Sequence, residues 1–130
     1  MASGLSLLEL LVVLMISAIL LSIATPVYLG HAQRAQRADA IRTLLETSSC
    51  QERVRASTGF YDTTRCMPDK GHDAYLFDLL PVSESKTLEF TARATPRARD
   101  DRCGALWLDH RGTRGVSEGV SRVDDCWGGR

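Results

Sequence analysis

Cys50, Cys66, Cys103 and Cys126 are the residues readiest for chemistry, and disulfide formation is the chemistry their number allows. No C-x-x-C pair occurs, and His31, His72 and His110 are scattered. Metal-ligand spacing is therefore missing, and no metal or other cofactor is expected. An even cysteine count in a short chain that opens with an apolar, membrane-length segment points to two disulfides in an oxidising compartment. Three pairings are open. The sequential one, Cys50–Cys66 and Cys103–Cys126, closes loops of about 16 and 23 residues, each stabilising by roughly 3 kcal/mol on the chain-entropy model. The alternative is four reduced, buried thiols in a cytosolic protein.

Catalysis finds little support. A nucleophile needs an adjacent base and a group that orients it, and local sequence suggests no Ser-His-Asp or Cys-His arrangement, so no enzyme is expected. Asp100-Asp101 and Asp124-Asp125 suit turn capping or salt bridging better than acid–base work. Gly128-Gly129 is a tail rather than a phosphate loop. With 16 basic and 16 acidic side chains the formal net charge is zero, so bulk charge makes no case for nucleic-acid binding. One local cluster stands apart: Arg93, Arg97, Arg99 and Arg102, with Arg111 and Arg114 further on. Guanidinium groups grip phosphates well, which makes the first four candidate DNA contacts. The plainer reading is a solvated loop partly neutralised by Asp100 and Asp101.

The element that dominates the sequence is apolar. Leu10–Ala24 (LLVVLMISAILLSIA) is interrupted only by Ser17 and Ser22. From Leu5 to Thr25 the segment has length for about 31 Å of helix, enough to span a bilayer. No basic region precedes it and no A-x-A-like site follows it, so it does not read as a cleaved secretory signal. Within it Glu9 is the sole formal charge, and a carboxylate at the end of a membrane helix is a functional-site candidate by default. Simple snorkelling to the interface is the alternative. By the positive-inside rule Arg34 and Arg37 place the following segment in the cytoplasm, against the oxidised head that the cysteines imply. The cysteines carry more weight here.

Ser3-Gly4-Leu5-Ser6-Leu7-Leu8-Glu9-Leu10 followed by the apolar run resembles the prepilin-peptidase site of type IV pilins and type II secretion pseudopilins. The resemblance implies cleavage after Gly4, N-methylation of Leu5, and assembly roles for Glu9 and for Pro26, which stands where the family carries a helix-kinking proline. Cleavage would leave the Leu5 amine one helical turn from Glu9, and the same amine on an adjacent subunit could neutralise the carboxylate. The family's leader usually carries Lys or Arg, whereas Met1-Ala2-Ser3-Gly4 has neither.

Beyond Pro26, apolar residues recur at Ala35, Ala38, Ile41, Leu44 and Leu45, a helical spacing. Arg34, Arg37, Asp39, Arg42 and Glu46 fall on the other faces. This predicts an amphipathic helix to about Ser57 with that stripe against a sheet, ended by Thr58-Gly59. Phe60–Asp73 reads as a polar connecting loop pinned by Cys66. Strands are predicted over Ala74–Leu80, Lys86–Thr95, Ala105–His110 and, as a short edge, Arg114–Val116. In the second, Leu88, Phe90, Ala92 and Ala94 share one face and Thr87, Glu89, Thr91 and Arg93 the other.

Phe90–Pro96, Asp101–Leu106, Gly112 and Cys126-Trp127 look like PilE-type minor pilins of type IVa pili, whose disulfide-closed C-terminal loop would correspond to Cys103–Cys126. The expectation is an α+β pilin fold, a long N-terminal helix packed on a three- or four-stranded antiparallel sheet. Residues 1–4 would be the leader, 5–30 the transmembrane and filament-core helix, and 31–130 the head. The implied function is a minor pilin, a structural subunit of a type IV pilus. Its partners would be other pilins, the inner membrane before assembly, the prepilin peptidase and methylase, and DNA if the arginines engage it. The head would be periplasmic, then extracellular. A type II secretion pseudopilin, a DNA-receptor minor pilin and a plain single-span membrane protein are the alternatives.

Overall fold

The structure, a computed structural model, describes residues 6–68, 74–81, 84–98, 102–117 and 122–128. It divides into two compact units, Met1–Arg34 and Ala35–Arg130, each described by itself below. Helix α1 runs Leu7–Thr58 and contributes to both. Strands β1 (Tyr75–Leu80), β2 (Thr91–Pro96), β3 (Leu106–Asp109) and β4 (Arg114–Val116) follow, then the short helix α2 (Val123–Trp127). The α+β pilin architecture read from the sequence is the one observed.

In the first unit α1 continues through Pro26. Proline brings no N–H to the Ser22 carbonyl one turn back, and hydroxyls just before it bond carbonyls of the preceding turns. Ser22 Oγ donates to Ile19 O and Thr25 Oγ1 to Leu21 O, both at 2.7 Å. At its other end the helix stops where Gly59 adopts φ +83° and donates to Arg55 O at 2.8 Å, a left-handed terminus that glycine enters without a Cβ penalty.

In the second unit the strands pair antiparallel in the order β1-β2-β3-β4. Tyr75, Leu79, Ala92, Ala94, Leu106 and Leu108 point to one side of the sheet and form the core with Ala40 and Leu44 of α1. The helix stripe in that core differs from the expected one. Arg37, Ala40, Leu44, Thr47 and Gln51 are buried, Ile41 is half-buried, and Ala35, Ala38 and Leu45 are exposed. At the C-terminal end of this stripe the loop after the helix brings backbone polar groups to Gln51. Gln51 Nε2 donates to Asp62 O (2.7 Å) and Arg65 O (3.0 Å), and Gln51 Oε1 accepts from the Asp62 N–H (3.1 Å). Buried polar groups matched in this way no longer disfavour the interior.

The second strand also starts later than expected, at Thr91 rather than Lys86. Thr87 pairs instead with Tyr61, through N–H···O bonds of 2.9 and 3.1 Å. That bridge draws the preceding residues away from β1, so Leu88 is 72% exposed and leaves the core face assigned to it. Phe90 stays inside, edge-on to Tyr61 at 4.8 Å between ring centroids. The loop is accordingly more structured than a polar connector. Thr63 Oγ1 donates to Pro81 O at 2.7 Å and accepts from the Glu84 N–H at 2.9 Å.

Candidate assembly helix and head surface

The first unit presents a continuous apolar surface. Leu7, Leu8, Leu10, Leu11 and the hydrophobic residues that follow are exposed, and the helix is long and apolar enough to cross a membrane. Such a helix fits membrane anchoring. Glu9 lies in its first turn, and among the described residues no cation pairs with it. Gly4 and Leu5, the expected cleavage and methylation positions, lie outside the described residues.

In the second unit, two disulfides staple the head. Cys50–Cys66 joins α1 to the loop after it, and Cys103–Cys126 joins the chain before β3 to α2, each with Cα atoms 5.8 Å apart. Sequence reading left three pairings open; the sequential pairing is the one formed, because Gln51 and β4 hold each pair of segments together. At the second staple the buried Trp127 donates its indole N–H to Gly115 O at 3.1 Å, while the Arg114 guanidinium lies 5.3 Å from the Trp127 ring centroid. Gly104 has φ +59° and comes so near the Ser117 carbonyl that a Cβ would stand 2.4 Å from it. Helix α2 carries this end of the chain onto β4, and sequence reading did not anticipate it; at 5 residues it is too short to show a helical period.

Of the arginine cluster, Arg93 is engaged by an acid. Arg93 lies directly opposite Asp78 across β1 and β2, and its Nε reaches both carboxylate oxygens at 3.1 Å, with Nη2 also bonded to Oδ2. The Asp78 carboxylate holds the Arg93 pKa above its ordinary value. Arg97 and Arg102 are exposed where β2 ends and β3 approaches, whereas Arg111 sits in the turn at the opposite end of the sheet. Arg99 lies outside the described residues. At the Arg111 end an open polar cleft of about 590 Å³ lies among Pro81, Glu89, Thr91, Asp109 and His110. Its one strongly engaged acid is Asp109, whose Oδ1 accepts from the N–H groups of Arg111 (2.9 Å) and Thr113 (2.7 Å). Partial burial works against ionisation, but these amides outweigh it and hold the carboxyl below the usual range. An acid so committed to its turn has little to offer as a proton donor.

Three residues of consequence carry no role in the sequence alone. Gln51 gave no signal, since a glutamine in a helix is unremarkable until its partners arrive from 11 and 14 residues away. Trp107 and Gly115 lie opposite one another on β3 and β4. An isolated glycine in a short strand is a cue for close approach, and here the approaching group is the indole.

The type IV minor pilin ComP family, described as a DNA uptake sequence receptor, has a model that matches residues 26–107, more than half the chain. No curated protein matches the chain in sequence. Among solved structures, a type IV pilin from Shewanella oneidensis is similar at TM-score 0.52 and 29% identity, over 62% of this chain and 88% of that one. The non-core minor pilin PilV of Neisseria meningitidis shares the fold at TM-score 0.54 and 22% identity, over 72% of this chain and 95% of that one. Long apolar helix, four-stranded sheet, disulfide-closed C-terminal loop and family match converge: this chain belongs to the type IV minor pilin family.

Proposed function

We propose that this minor pilin is made as a prepilin, cut after Gly4 by the prepilin peptidase, N-methylated at Leu5, and drawn from the inner membrane into the filament by its apolar helix. The observation that carries the reading is Glu9, a carboxylate in the first turn of a helix whose neighbours Leu7, Leu8, Leu10 and Leu11 are exposed hydrophobics. Packing such helices together removes them from lipid and strands each carboxylate in an apolar core. An unpaired charge there costs several kcal/mol, so the arrangement favours the register in which Glu9 meets the Leu5 amine of a neighbouring pilin. The head then lies in the periplasm before assembly and outside the cell after it, where its two disulfides are maintained.

Glu9→Ala tests this directly. The variant is expected in the membrane fraction at normal level, with its share in sheared filaments falling at least about tenfold, the penalty for losing roughly 1.4 kcal/mol of register selection. Filaments carrying the variant at the wild-type level would refute the reading. Mass spectrometry of the native chain reports cleavage and methylation in the same preparation.

A second reading rests on the family's description as a DNA uptake sequence receptor. Arg97 is the exposed cation best placed for it, with Arg102 and Arg99 near it in sequence, whereas Arg93 is already committed to Asp78. Phosphate contacts make binding strongly salt-dependent. Retention of DNA at low salt that weakens on Arg97→Ala supports it; no retention at low salt excludes it.

A further inference from the structure

The outer face of the sheet, away from the core, carries an arrangement that the two disulfides do not involve. Register places Asp78 opposite Arg93, Arg93 opposite Trp107, and Trp107 opposite Gly115. One row of side chains therefore crosses all four strands. The indole is seated on the glycine so closely that a Cβ there would stand 2.0 Å from ring atoms Cε2 and Cζ2. Glycine backbone thus occupies one face of the ring. The cross-strand neighbour on the other side is Arg93, and its guanidinium is turned to Asp78. Among the described residues the cations lying over aromatic rings are Arg55 on Tyr61 and Arg114 on Trp127, and none lies on Trp107. Half-buried Thr91 and Thr95 flank Arg93 on the same face.

We propose that this row is a binding platform for a neutral pyranose ring of a glycan. The flat apolar face of a pyranose stacks on an indole, and its edge carries hydroxyls that both donate and accept. The platform supplies both complements: the Arg93 Nη1 group, which the Asp78 pairing leaves over, as a donor, the remaining Asp78 lone pairs as acceptors, and the two threonine hydroxyls as either. Charge selects between this ligand and the other that stacks on aromatic rings. Nucleobases stack equally well, but their phosphates need uncompensated cations, and the one cation of the row is neutralised by Asp78. A hydroxyl-rich neutral ligand meets no such requirement. Trp107 is half-buried, and its contact with Gly115 accounts for the ring face turned to β4.

The test uses the full chain in a zwitterionic micelle without sugar headgroups, titrated calorimetrically with maltotriose, chitotriose and lactose, and with a short mixed-sequence single-stranded DNA at physiological salt. At least one sugar is expected to bind saturably. Trp107→Ala should weaken it about tenfold or more and Trp107→Tyr only about threefold, since stacking needs an aromatic face. Because Trp107→Ala also uncovers Gly115, Arg93→Gln serves as the second variant. Its exposed ion pair contributes little to folding, and it should weaken binding about threefold with an unchanged near-ultraviolet circular dichroism spectrum. Failure of all three sugars to bind, sugar binding that survives both Trp107→Ala and Arg93→Gln, or DNA binding in place of sugar through Trp107 would each overturn the proposal.

Discussion

Gln51→Leu isolates the contact that distinguishes this head from the one its helical pattern suggests. Gln51 is fully buried and leucine fills a similar volume, so packing is largely conserved and the loss is polar. Removing the amide orphans the Asp62 N–H, held at 3.1 Å, and the carbonyls of Asp62 and Arg65, held at 2.7 and 3.0 Å. A buried donor left unmade costs about 1–3 kcal/mol. Arg65 is exposed, so its carbonyl recovers water and adds little. The net expectation is a loss of about 2–3 kcal/mol, a fall in melting temperature of about 10 °C or more for a head of this size. Urea unfolding of the full chain in micelles, disulfides intact, followed by the fluorescence of Trp107 and Trp127, measures it as a shift in midpoint at unchanged slope. Gln51→Glu sharpens the test. Its carboxylate would face two carbonyls in the interior, which raises its folded-state pKa above the unfolded value. Between those two values the folded state binds the extra proton, so stability falls as pH rises through that window and recovers below it. A Gln51→Leu variant within about 0.5 kcal/mol of wild type, or a Gln51→Glu variant with a flat pH response, would refute the reasoning.

Two further outcomes follow from the sheet. Gly115→Ala places a methyl within 2.0 Å of the Trp107 ring and should cost about 2–3 kcal/mol by overpacking, with much of that loss absent in a Trp107→Ala background when thermal melts are compared in a double-mutant cycle. Asp109→Asn keeps an acceptor for Arg111 and Thr113 but removes its charge, so the β3–β4 hairpin should lose about 0.5–1 kcal/mol at neutral pH. The wild-type carboxyl titrates below its usual range, so its contribution is present above the unfolded pKa and lost as pH falls through the folded one. The difference between the two proteins should therefore hold above the ordinary carboxylate pKa and close only as pH falls through the lowered folded one.

The N-terminal device was legible because its physics is local. A long apolar run with one carboxylate near its start, and a proline in its later part, needs no distant contact to be recognised as a membrane-length helix with a costly charge. The same holds for Gly59 as the end of α1, whose φ of +83° places it in the region glycine enters most readily. Strand positions β1, β3 and β4 were also visible, since short apolar or aromatic runs between turn residues carry their own signal.

Features that depend on residues far apart in the chain emerge only in the folded molecule. Helical periodicity places Ala38 and Leu45 on one stripe and Gln51 on another. It cannot say which stripe is buried once a loop brings its own donors and acceptors. The Tyr61–Thr87 bridge cut the second strand back to Thr91 and turned Leu88 outward, although alternation alone extended the strand to Lys86. Arg93 looked like a phosphate ligand until register set it beside Asp78. Trp107 and Gly115 acquired meaning only when hairpin pairing stacked one on the other. Local pattern is enough to show a membrane-length apolar helix and an α+β head. Long-range pairing, whose loop-closure entropy no local pattern encodes, decided which faces of that head are core and which are offered to a ligand.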